Sequence, residues 1–432
     1  MQTYEQYKDS GIDWIGQIPE HWEVSKLGNI LKPYSVKNKA HLPLLSITRE
    51  KGVILRGDDP EESNHNFIPD DLSGYKHIKK GQFGMNKMKA WQGSYGYSNF
   101  EGIVSPAYYI FDISEKLYGD YFSKTIRSNA FIPFFIKASD GVRIGQWDLS
   151  KPRMKEIPFY IPPIHEQEAI AKFLDDKTAK IDALVQTKEQ QIEKLKELRQ
   201  AKIHQAVTKG LDSNAPTKDS GIEWIGEIPA HWEVKKFRYT INLRHGYQFR
   251  DNDFTEEGIK IVKITQLNKD GFLDLTKADT ISYSRVNSFK EIIIKNNDIL
   301  MCLTGGTIGK IILVKDLDEV VLQNYRVGHF SSINDQLSNK FLFYILSADY
   351  FQKQINNDLS ETGQPNIGME DLKKMDVVIP RYFEQADIVA YLDEVTGKID
   401  QAIAQKQEQI TKLKEYKQSL INDVVTGKVK VC

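Results

Sequence analysis

The stretch KDSGIDWIGQIPEHWEV spans residues 8–24, and KDSGIEWIGEIPAHWEV spans residues 218–234. The two copies differ at three of their seventeen positions. A second pair of similar segments, residues 166–197 and 384–415, aligns without gaps further along each half. Because this repeat is far longer than a solenoid unit, the chain is interpreted as a duplication of a whole domain.

The repeated motif is too apolar for a surface that reads nucleotide bases. Glycine and proline shape turns between its apolar residues. We expect both copies to be packed structural segments at the start of each half, near the end of a helix pair. The apolar residues concerned are Trp14, Ile15, Ile18, Trp22 and Val24, with counterparts Trp224, Ile225, Ile228, Trp232 and Val234.

The segments between the repeated ends, residues 25–160 and 235–378, look unlike each other. Repeated ends around dissimilar middles indicate a shared frame that carries two different specificities. The runs 258–264, 291–303 and 102–111 are rich in β-branched and aromatic residues and predict strands, whereas the run at 341–357 predicts one helix. Each body is therefore expected to be mixed α and β.

Each half ends in a segment of helical periodicity, about 40 residues or ~60 Å long. A helix of this length with one apolar stripe needs a partner, and the sister helix is the expected one, paired antiparallel. The alternative is that each helix docks separately on its own body. The predicted stripe residues are Ile170, Leu174, Ile181, Leu184, Leu195 and Leu198, then Ile388, Leu392, Val395, Ile399, Ile403, Ile410, Leu413 and Leu420.

The predicted fold class is α+β: two mixed α/β domains separated by two long helices that form an antiparallel coiled coil, in a pseudo-two-fold tandem duplication. The polar, turn-rich stretch after the first helix predicts a linker. The predicted boundaries are a first body at 1–160, a first long helix at 161–210, a linker at 211–217, a second body at 218–378, and a second long helix with a tail at 379–432.

Composition narrows the class of protein without identifying it. The 432 residues are 40% hydrophobic and carry a formal net charge of −1, so any electrostatic binding site must be local. The two cysteines, Cys302 and Cys432, cannot supply a disulfide framework or a zinc site, and we expect a cytoplasmic protein. The first residues lack an apolar signal core, and no run approaches the ~18 apolar residues of a membrane span.

Catalytic motifs are scarce. The stretch TGGTIGK at 304–310 departs from a phosphate-binding loop at its first position, which is Thr304, and Ile311 follows Lys310 where Ser or Thr is required. This stretch is interpreted as a glycine turn between two strands. The histidines form no pair at metal-ligand spacing on one helix face. These absences predict a chain that carries out no chemistry and binds no cofactor or metal.

Local charge points instead to nucleic acid. Residues 72–100 and 234–250 are basic, contain no acid and are interspersed with aromatic and amide side chains. Lysine and arginine neutralise phosphates, and Asn, Gln and Arg read base edges. The polar segments 141–147 and 363–371 lie shortly before each long helix and add residues of the same types. The alternative for the basic stretches is a solvated lysine face over aromatic residues of the core. The alternative for the polar segments is that they are plain turns.

The predicted DNA contacts come from these stretches and from the glycine turn. In the first half they are Lys79, Lys80, Asn86, Lys87, Lys89, Gln92, Ser94, Tyr95, Arg143 and Gln146. In the second half they are Lys236, Arg244, His245, Tyr247, Arg250, Thr304, Thr307, Lys310, Gln364 and Asn366.

The whole chain resembles the specificity subunit of type I restriction–modification systems. The resemblance rests on the twice-written motif, on IPP-x-x-EQ or IP-x-x-x-EQ opening each helix, on AVTKG or VVTGK closing it, and on NKMKAWQGS at 86–94 with GIVSPAYYIF at 102–111. It implies two target-recognition domains, each reading one half of a split double-stranded DNA site. The paired helices would set the gap and bind two modification subunits.

The resemblance also implies where the missing chemistry resides. Modification subunits would carry S-adenosylmethionine and methylate adenine, and restriction subunits would use ATP and Mg²⁺ for translocation and cleavage. The rival interpretations are a coiled-coil scaffold that does not touch DNA, a stand-alone repressor, and a nuclease or methyltransferase acting alone. The family's bodies diverge so widely that no base-contacting residue transfers from it.

Overall fold

The structure is a computed structural model that describes residues 2–57, 68–143, 146–267, 272–333, 337–358 and 368–431. It divides into two compact units. Unit 1 comprises residues 1–189 with 407–432, and unit 2 comprises residues 190–406. Each unit therefore contains one body, the first part of its own long helix and the last part of the other long helix.

The strands of unit 1 are β1 (Tyr7–Asp9), β2 (Gln17–Pro19), β3 (Glu23–Lys26), β4 (Leu31–Tyr34), β5 (Leu45–Thr48), β6 (Gly52–Leu55), β7 (Lys76–Ile78), β8 (Phe83–Asn86), β9 (Tyr95–Tyr97), β10 (Gly102–Val104), β11 (Tyr108–Ile113), β12 (Ser139–Arg143), β13 (Gln146–Leu149) and β14 (Pro158–Ile161). Its helices are α1 (Leu27–Ile30), α2 (Gly119–Ile126), α3 (Ile132–Lys137), α4 (Lys151–Lys155) and the beginning of α5 (Ile164–Lys209).

The strands of unit 2 are β15 (Thr217–Asp219), β16 (Glu227–Pro229), β17 (Glu233–Lys236), β18 (Ile241–His245), β19 (Phe254–Thr255), β20 (Ile259–Val262), β21 (Thr280–Ile281), β22 (Ile293–Ile294), β23 (Ile299–Cys302), β24 (Ile311–Leu313), β25 (Val321–Gln323), β26 (Val327–Ser332) and β27 (Asp376–Ile379). Its helices are α6 (Asn339–Ser347), α7 (Asp349–Asp358), α8 (Met369–Lys374) and the beginning of α9 (Tyr382–Val425).

Each body has its own main sheet, and the two sheets have the same strand order although the sequences of the bodies differ. In unit 1 the antiparallel order is β4-β11-β8-β9, and in unit 2 it is β18-β26-β23-β24. In both units these strands occupy corresponding places along the chain, followed by short helices, a strand that pairs with β3 or β17, and the long helix. In unit 1 the hairpin β12–β13 also lies in this segment. Unit 2 adds a second sheet, β19-β21-β20-β25-β22. The mixed α and β composition of each body confirms the predicted fold class.

Three predicted elements are each divided in the structure. The single helix predicted at 341–357 is wrong, because Ala348 takes an extended ψ of 143° and separates α6 from α7. The run at 291–303 holds β22 and β23, which are separated by a turn where Asn297 has a φ of 70°. The run at 102–111 likewise holds β10 and the start of β11, separated by a turn.

The long helices pair antiparallel within each unit, as predicted. In unit 1 Lys188 Nζ donates to Gln409 Oε1 at 2.7 Å, and in unit 2 Lys406 Nζ donates to Gln191 Oε1 at 2.7 Å. These two bonds join equivalent positions of the aligned repeats. Helices α5 and α9 are 46 and 44 residues long, so the predicted length is confirmed.

The buried stripe of α5 differs from the predicted one at two positions. Ile181, Val185 and Ile192 are buried, whereas Leu184 is 51% exposed and Leu198 is also exposed. The seam of a coiled coil alternates steps of three and four residues. Ile181, Val185 and Ile192 follow this pattern with steps of four and seven, so Leu184, one residue before Val185, lies beside the seam. The assignment of Leu184 and Leu198 to the stripe is therefore wrong.

The repeated motif closes on the first turn of the long helix that follows its body. In unit 1 the carboxylate of Glu166 accepts a hydrogen bond from Trp22 Nε1 at 3.1 Å and lies 2.6 Å from His21 Nε2. Tyr4 also donates its hydroxyl to Glu166 at 3.1 Å. Since Trp22 and Glu166 are buried, these directed bonds fix the body on the helix.

Unit 2 repeats this closure with its own residues. Glu384 accepts from Trp232 Nε1 at 2.7 Å and lies 2.7 Å from His231 Nε2. Lys218 Nζ donates to the carbonyl of Trp232 at 2.6 Å, as Lys8 does to Trp22 in unit 1. We call the repeated motif with the helix ends that it contacts the frame of each unit.

The end of the other long helix also reaches the frame. In unit 1, Gly427 follows α9 with a φ of +74°, and a Cβ there would lie 2.2 Å from Pro19 Cδ. In unit 2, Gly210 follows α5 with a φ of +70°, and its Cβ would lie 3.1 Å from Trp232. Glycine is required where a left-handed turn meets such close packing. The predicted placement of the motif near the end of the helix pair agrees with these contacts.

Three apolar residues of the motif do not pack as predicted. Val24 and Val234 are exposed, and Trp224 is 38% exposed. Trp14, the counterpart of Trp224, donates its Nε1–H to the carbonyl of Ala130, and its ring lies 4.8 Å from the ring of Phe134.

Among the described residues, no helix has both the length and the apolar character of a membrane span.

Candidate nucleic-acid interface

Each main sheet has one end at the frame and one end away from it. In unit 1 the near end holds the Leu31–Ile113 pair, directly after β3 and α1. The opposite end holds the end of β4, the end of β8 and the start of β11, where Tyr108 pairs with Asn86. We call this second end the far end; in unit 2 it holds His245, Cys302 and Val327.

The far end of unit 1 gathers lysines from four separate segments. Lys76 comes from β7, Lys87 from the turn after β8, Lys151 from the start of α4 and Lys37 from the segment after β4. Burial lowers the pKa of Lys76, and repulsion from Lys151, Lys37 and Lys87 lowers it further. We call these four residues the lysine cluster.

Of the predicted contacts, Lys87 belongs to this cluster, and Asn86, Lys89 and Gln92 stand at the end of β8 or in the turn after it. Lys79 and Lys80 are instead exposed in the turn that leads into the start of β8, where Phe83 pairs with Phe111 toward the near end, and Lys79 Nζ reaches to 5.1 Å from the ring centroid of Tyr34. Asn86 and Gln92 are half-buried, and Lys89 is exposed. Lys87 Nζ lies 3.5 Å from Asp148 Oδ1, so one member of the cluster has an acidic partner.

A chain of hydrogen bonds orients Tyr34 at this end. The Tyr34 hydroxyl lies 2.9 Å from His77 Nδ1, and His77 Nε2 lies 2.9 Å from Glu101 Oε1. His77 is buried, so the chain joins an internal imidazole to an exposed carboxylate. The tyrosine ring below Lys79 is thereby held in place.

Ser94 and Tyr95 are not surface residues, contrary to the prediction. Ser94 is 3% exposed and Tyr95 is 0% exposed. The ring of Tyr95 lies 4.4 Å from that of Phe135, and burial raises the pKa of its hydroxyl. Alternation along β9 turns Tyr95 into the core, so for these two positions the alternative of core aromatics under a lysine face is correct.

The hairpin β12–β13 carries the predicted contacts Arg143 and Gln146, which are paired in its backbone register. Trp147 of β13 stacks on Trp91, which lies in the turn after β8, with ring centroids 5.0 Å apart and an angle of 24°. This contact fixes the hairpin beside that turn. The backbone of this segment also joins the sheet, because Leu149 donates its N–H to the carbonyl of Lys87. The hairpin therefore lies next to the lysine cluster.

The far end of unit 2 is built from arginine, histidine and tyrosine. Arg244 Nε donates to Gln323 Oε1 at 3.1 Å, and burial lowers the pKa of its guanidinium. His245 is exposed, with Nδ1 3.4 Å from the carbonyl of Tyr325. Tyr247 is also exposed, and its ring lies 4.9 Å from that of Phe289.

Two residues at this end were absent from the sequence-based prediction. Tyr325 and Arg326 form the turn into β26, and Arg326 Nε donates to the Tyr325 hydroxyl at 2.7 Å. The carbonyl of Arg326 accepts from the N–H of Leu303, which ties this turn to Thr304. An isolated Asn-Tyr-Arg between two strands carries no signal of function in the sequence alone.

The glycine turn at 304–310 lies between β23 and β24, as predicted. Thr304 is half-buried and Thr307 is exposed. Lys310 Nζ instead donates to the carbonyl of Leu267, so its charge is directed toward the backbone of unit 2 rather than to solvent. Arg250 is exposed before a short turn, whereas Gln364 and Asn366 lie outside the described residues.

Lys236 belongs to the frame rather than to the far end. Its Nζ donates to Asp376 Oδ2 at 2.8 Å across the β17–β27 pair. In unit 1 the equivalent Lys26 makes the same kind of bond to Glu156, which lies two residues before β14, the partner strand of β3. A pair repeated in both units is part of what the units share, so Lys236 lies apart from the far end, and its role as a DNA contact stays a prediction.

Comparisons with known proteins agree with these features. The family model described as type I restriction modification DNA specificity domain matches residues 110–194 and 229–412. The MjaVIII type I restriction enzyme specificity subunit of Methanocaldococcus jannaschii is 28% identical over 446 residues, covering 100% of this chain and 98% of the relative. The EcoBI specificity subunit of Escherichia coli is 26% identical over 288 residues, covering 65% of this chain and 60% of the relative.

A solved structure has the same fold. It comes from work titled as the structural basis of complex assembly and conformational transition of the type I R-M system, and aligns with a TM-score of 0.69 at 14% identity. The alignment covers 95% of this chain and 99% of that one. Because the family model matches more than half of the sequence, the chain belongs to the type I restriction–modification DNA specificity family, and its two bodies are target-recognition domains.

Proposed function

We propose that each target-recognition domain reads one half of an asymmetric, split double-stranded DNA site through the far end of its main sheet. The observation that carries this proposal is that two sheets of the same strand order present different cationic and aromatic residues at the same end. Two unlike readers on one chain would specify two unlike half-sites, as the two subunits of a dimer specify two equal ones.

The chemistry of each far end suits this role. Lysines at the far end of unit 1 neutralise phosphates, and the amide of Gln92, half-buried in the turn after β8, can pair with a base edge. Asn86 is less suited to this role, because its Oδ1 accepts from the N–H of Met88 at 3.0 Å. Arg326 and His245 of unit 2 offer directed donors, and the exposed Tyr247, whose carbonyl accepts from the N–H of Tyr325, offers an aromatic ring. A planar guanidinium can bind two acceptors on guanine at once, which supplies discrimination rather than affinity alone.

The chain supplies recognition, and its partners supply the reaction. The long helices would bind two modification subunits, which would hold S-adenosylmethionine, and restriction subunits would use ATP and Mg²⁺. This assignment is supported by the lack of catalytic motifs in the sequence, and a cytoplasmic location follows from acting on DNA. The purified chain alone should transfer no methyl group to DNA, and transfer by the chain alone would contradict this assignment.

The experiment that tests DNA recognition compares methylomes. Cells carrying the whole system should show adenine methylation at a bipartite, asymmetric site, and deleting this chain should abolish it. Restoring the chain should restore the same site. Methylation that persists without the chain, or a continuous palindromic site, would contradict the proposal. A scaffold that does not touch DNA would also show no salt-dependent DNA binding by the purified complex.

The long helices would also set the gap between the half-sites. Inserting one helical turn into both α5 and α9 keeps their pairing and lengthens each by about 5.4 Å. The methylated site of this variant should have a longer gap with both halves unchanged. An unchanged gap would show that helix length does not determine spacing.

A further inference from the structure

Two ammonium groups of unit 1 approach the ring of Tyr109. Lys151 Nζ lies 4.1 Å from the ring centroid, and Lys76 Nζ lies 5.8 Å from it. Lys76 Nζ also donates to the carbonyl of Tyr108 at 2.6 Å, which fixes its position. The ring attracts each ammonium group, but the two like charges repel each other, so an anion bound between them would lower the electrostatic energy of the site.

The surrounding charges increase this repulsion. Lys37 and Lys87 act on Lys76 in the same direction as Lys151, and the lowered pKa of Lys76 reflects burial together with all three. Asp148 pairs with Lys87. Within the described part of the chain, no ion pair joins Lys37, Lys76 or Lys151 to an acid.

The four lysines are also positioned by separate structural elements. Val36 accepts the N–H of His77, which holds Lys37 next to β7, and Leu149 donates to the carbonyl of Lys87, which holds the start of α4 near β8. Lys37 and Lys151 are exposed, and Lys76 is half-buried. The cluster is therefore accessible and held in place before any ligand binds.

We propose that the lysine cluster is a preformed site for one phosphodiester group of the DNA backbone, which positions unit 1 on the duplex without reading its sequence. Ammonium groups act as point charges and suit a phosphate, whereas the planar fork of arginine suits a base edge. This inference rests on the proposed function that unit 1 binds DNA.

The test uses the full chain assembled with its modification subunits and a duplex that carries the methylated site. Binding is measured over a range of salt concentrations for the wild type, the variant K76Q/K151Q and the variant K76R/K151R. The slope of log K against log salt is negative, and loss of one phosphate contact should reduce its magnitude, called here the salt slope, by about one. The arginine variant keeps the charge and should retain the wild-type slope.

The matched control is K26Q/K116Q. It removes two charges from exposed lysines of unit 1 that pair with Glu156 and Glu23, away from the far end and outside the long helices. Its slope should equal that of the wild type. The K76Q/K151Q complex should weaken on target and non-target duplexes by the same factor, and its methylated site should remain unchanged.

Different failures separate the inference from the proposed function. A wild type that binds with salt dependence but a K76Q/K151Q slope that does not fall would overturn the phosphate site alone. A changed methylated site in that variant would overturn it too, because the lysines would then read bases. A wild type that neither binds nor directs methylation would overturn the proposed function as well. If K76Q/K151Q unfolds at a lower temperature than the wild type, the single variant K151Q tests the phosphate site instead, because Lys151 is exposed. The salt slope of K151Q should also fall below that of the wild type.

Discussion

The near ends of the two units repeat each other down to individual hydrogen bonds, whereas the far ends share only the sheet. Glu166 and Glu384 each accept from a buried tryptophan and contact a neighbouring histidine. At the far ends, Lys76 and Lys151 in unit 1 contrast with Arg326 in unit 2. Buried, directed bonds tolerate few substitutions, while the exposed end of a sheet accepts whatever side chains its ligand requires. One fold thus carries two specificities.

The largest expected effect comes from breaking the shared frame. Trp22→Ala and Trp232→Ala each remove a fully buried ring that contacts the end of a long helix. Each should lower the free energy of unfolding of its unit by about 3–5 kcal/mol in chemical denaturation. Trp224→Ala is the control; its side chain is 38% exposed, so it should cost clearly less than Trp232→Ala. Very different costs for the two buried tryptophans would show that the frames are not equivalent.

A smaller difference should distinguish the two frames. Glu166 accepts from Tyr4 as well as from Trp22, whereas Glu384 has the tryptophan and histidine partners. Glu166→Gln should therefore destabilise its unit by about 1.5–3 kcal/mol, and Glu384→Gln by less. Removing the extra partner with Tyr4→Phe should bring the two effects closer together. If Glu166→Gln and Glu384→Gln lowered stability equally while Tyr4 was still present, the extra hydrogen bond would not contribute to unit 1.

The far ends should differ in the kind of binding that they support. Arg326→Ala should lower discrimination at one half-site by about 1–3 kcal/mol, measured as the ratio of affinities for target and single-mismatch duplexes. Arg326→Lys keeps the charge but loses the planar fork, so it should lose most of the same discrimination. Uniform weakening on all duplexes would instead assign Arg326 to the DNA backbone.

The smallest effect is expected in the helix pair. Lys417 pairs with Asp182 in unit 1 at 2.7 Å, and Arg199 pairs with Asp400 in unit 2 at 2.9 Å, at equivalent positions of the repeat. Both pairs are partly exposed, so Lys417→Gln and Arg199→Gln should each cost about 0.2–1 kcal/mol of stability. High salt should reduce both costs. A loss of several kcal/mol would indicate that these pairs hold the helices together.

Sequence reasoning identified the frame and the helices because their signals are local and repeated. Trp22, Trp232 and the first turns of α5 and α9 stand in segments that align without the structure. Periodicity alone did not separate Leu184 from Val185, since steps of three and four both fit one helical face. The break at Ala348 was missed because alanine favours a helix and carries no stop signal.

The candidate interface was harder to predict, for a physical reason. The lysine cluster joins Lys37, Lys76, Lys87 and Lys151, which only the fold brings together. A basic stretch in the sequence located Lys76 and Lys87 but also included Tyr95, which alternation turns into the core. Lys236 has the right chemistry for a phosphate, yet its strand places it beside Asp376 in the frame. Residue type indicated the chemistry, and topology decided the position.

If each unit reads its own half-site, exchanging one body should exchange one specificity. The experiment replaces residues 25–160 with the equivalent segment of another specificity subunit and sequences the methylome. The exchange leaves both copies of the repeated motif and both long helices in place, so the frame and the gap should be kept. Exactly one half of the methylated site should change, and the reciprocal exchange of residues 235–378 should change the other. A variant that alters both halves, or neither, would contradict the claim.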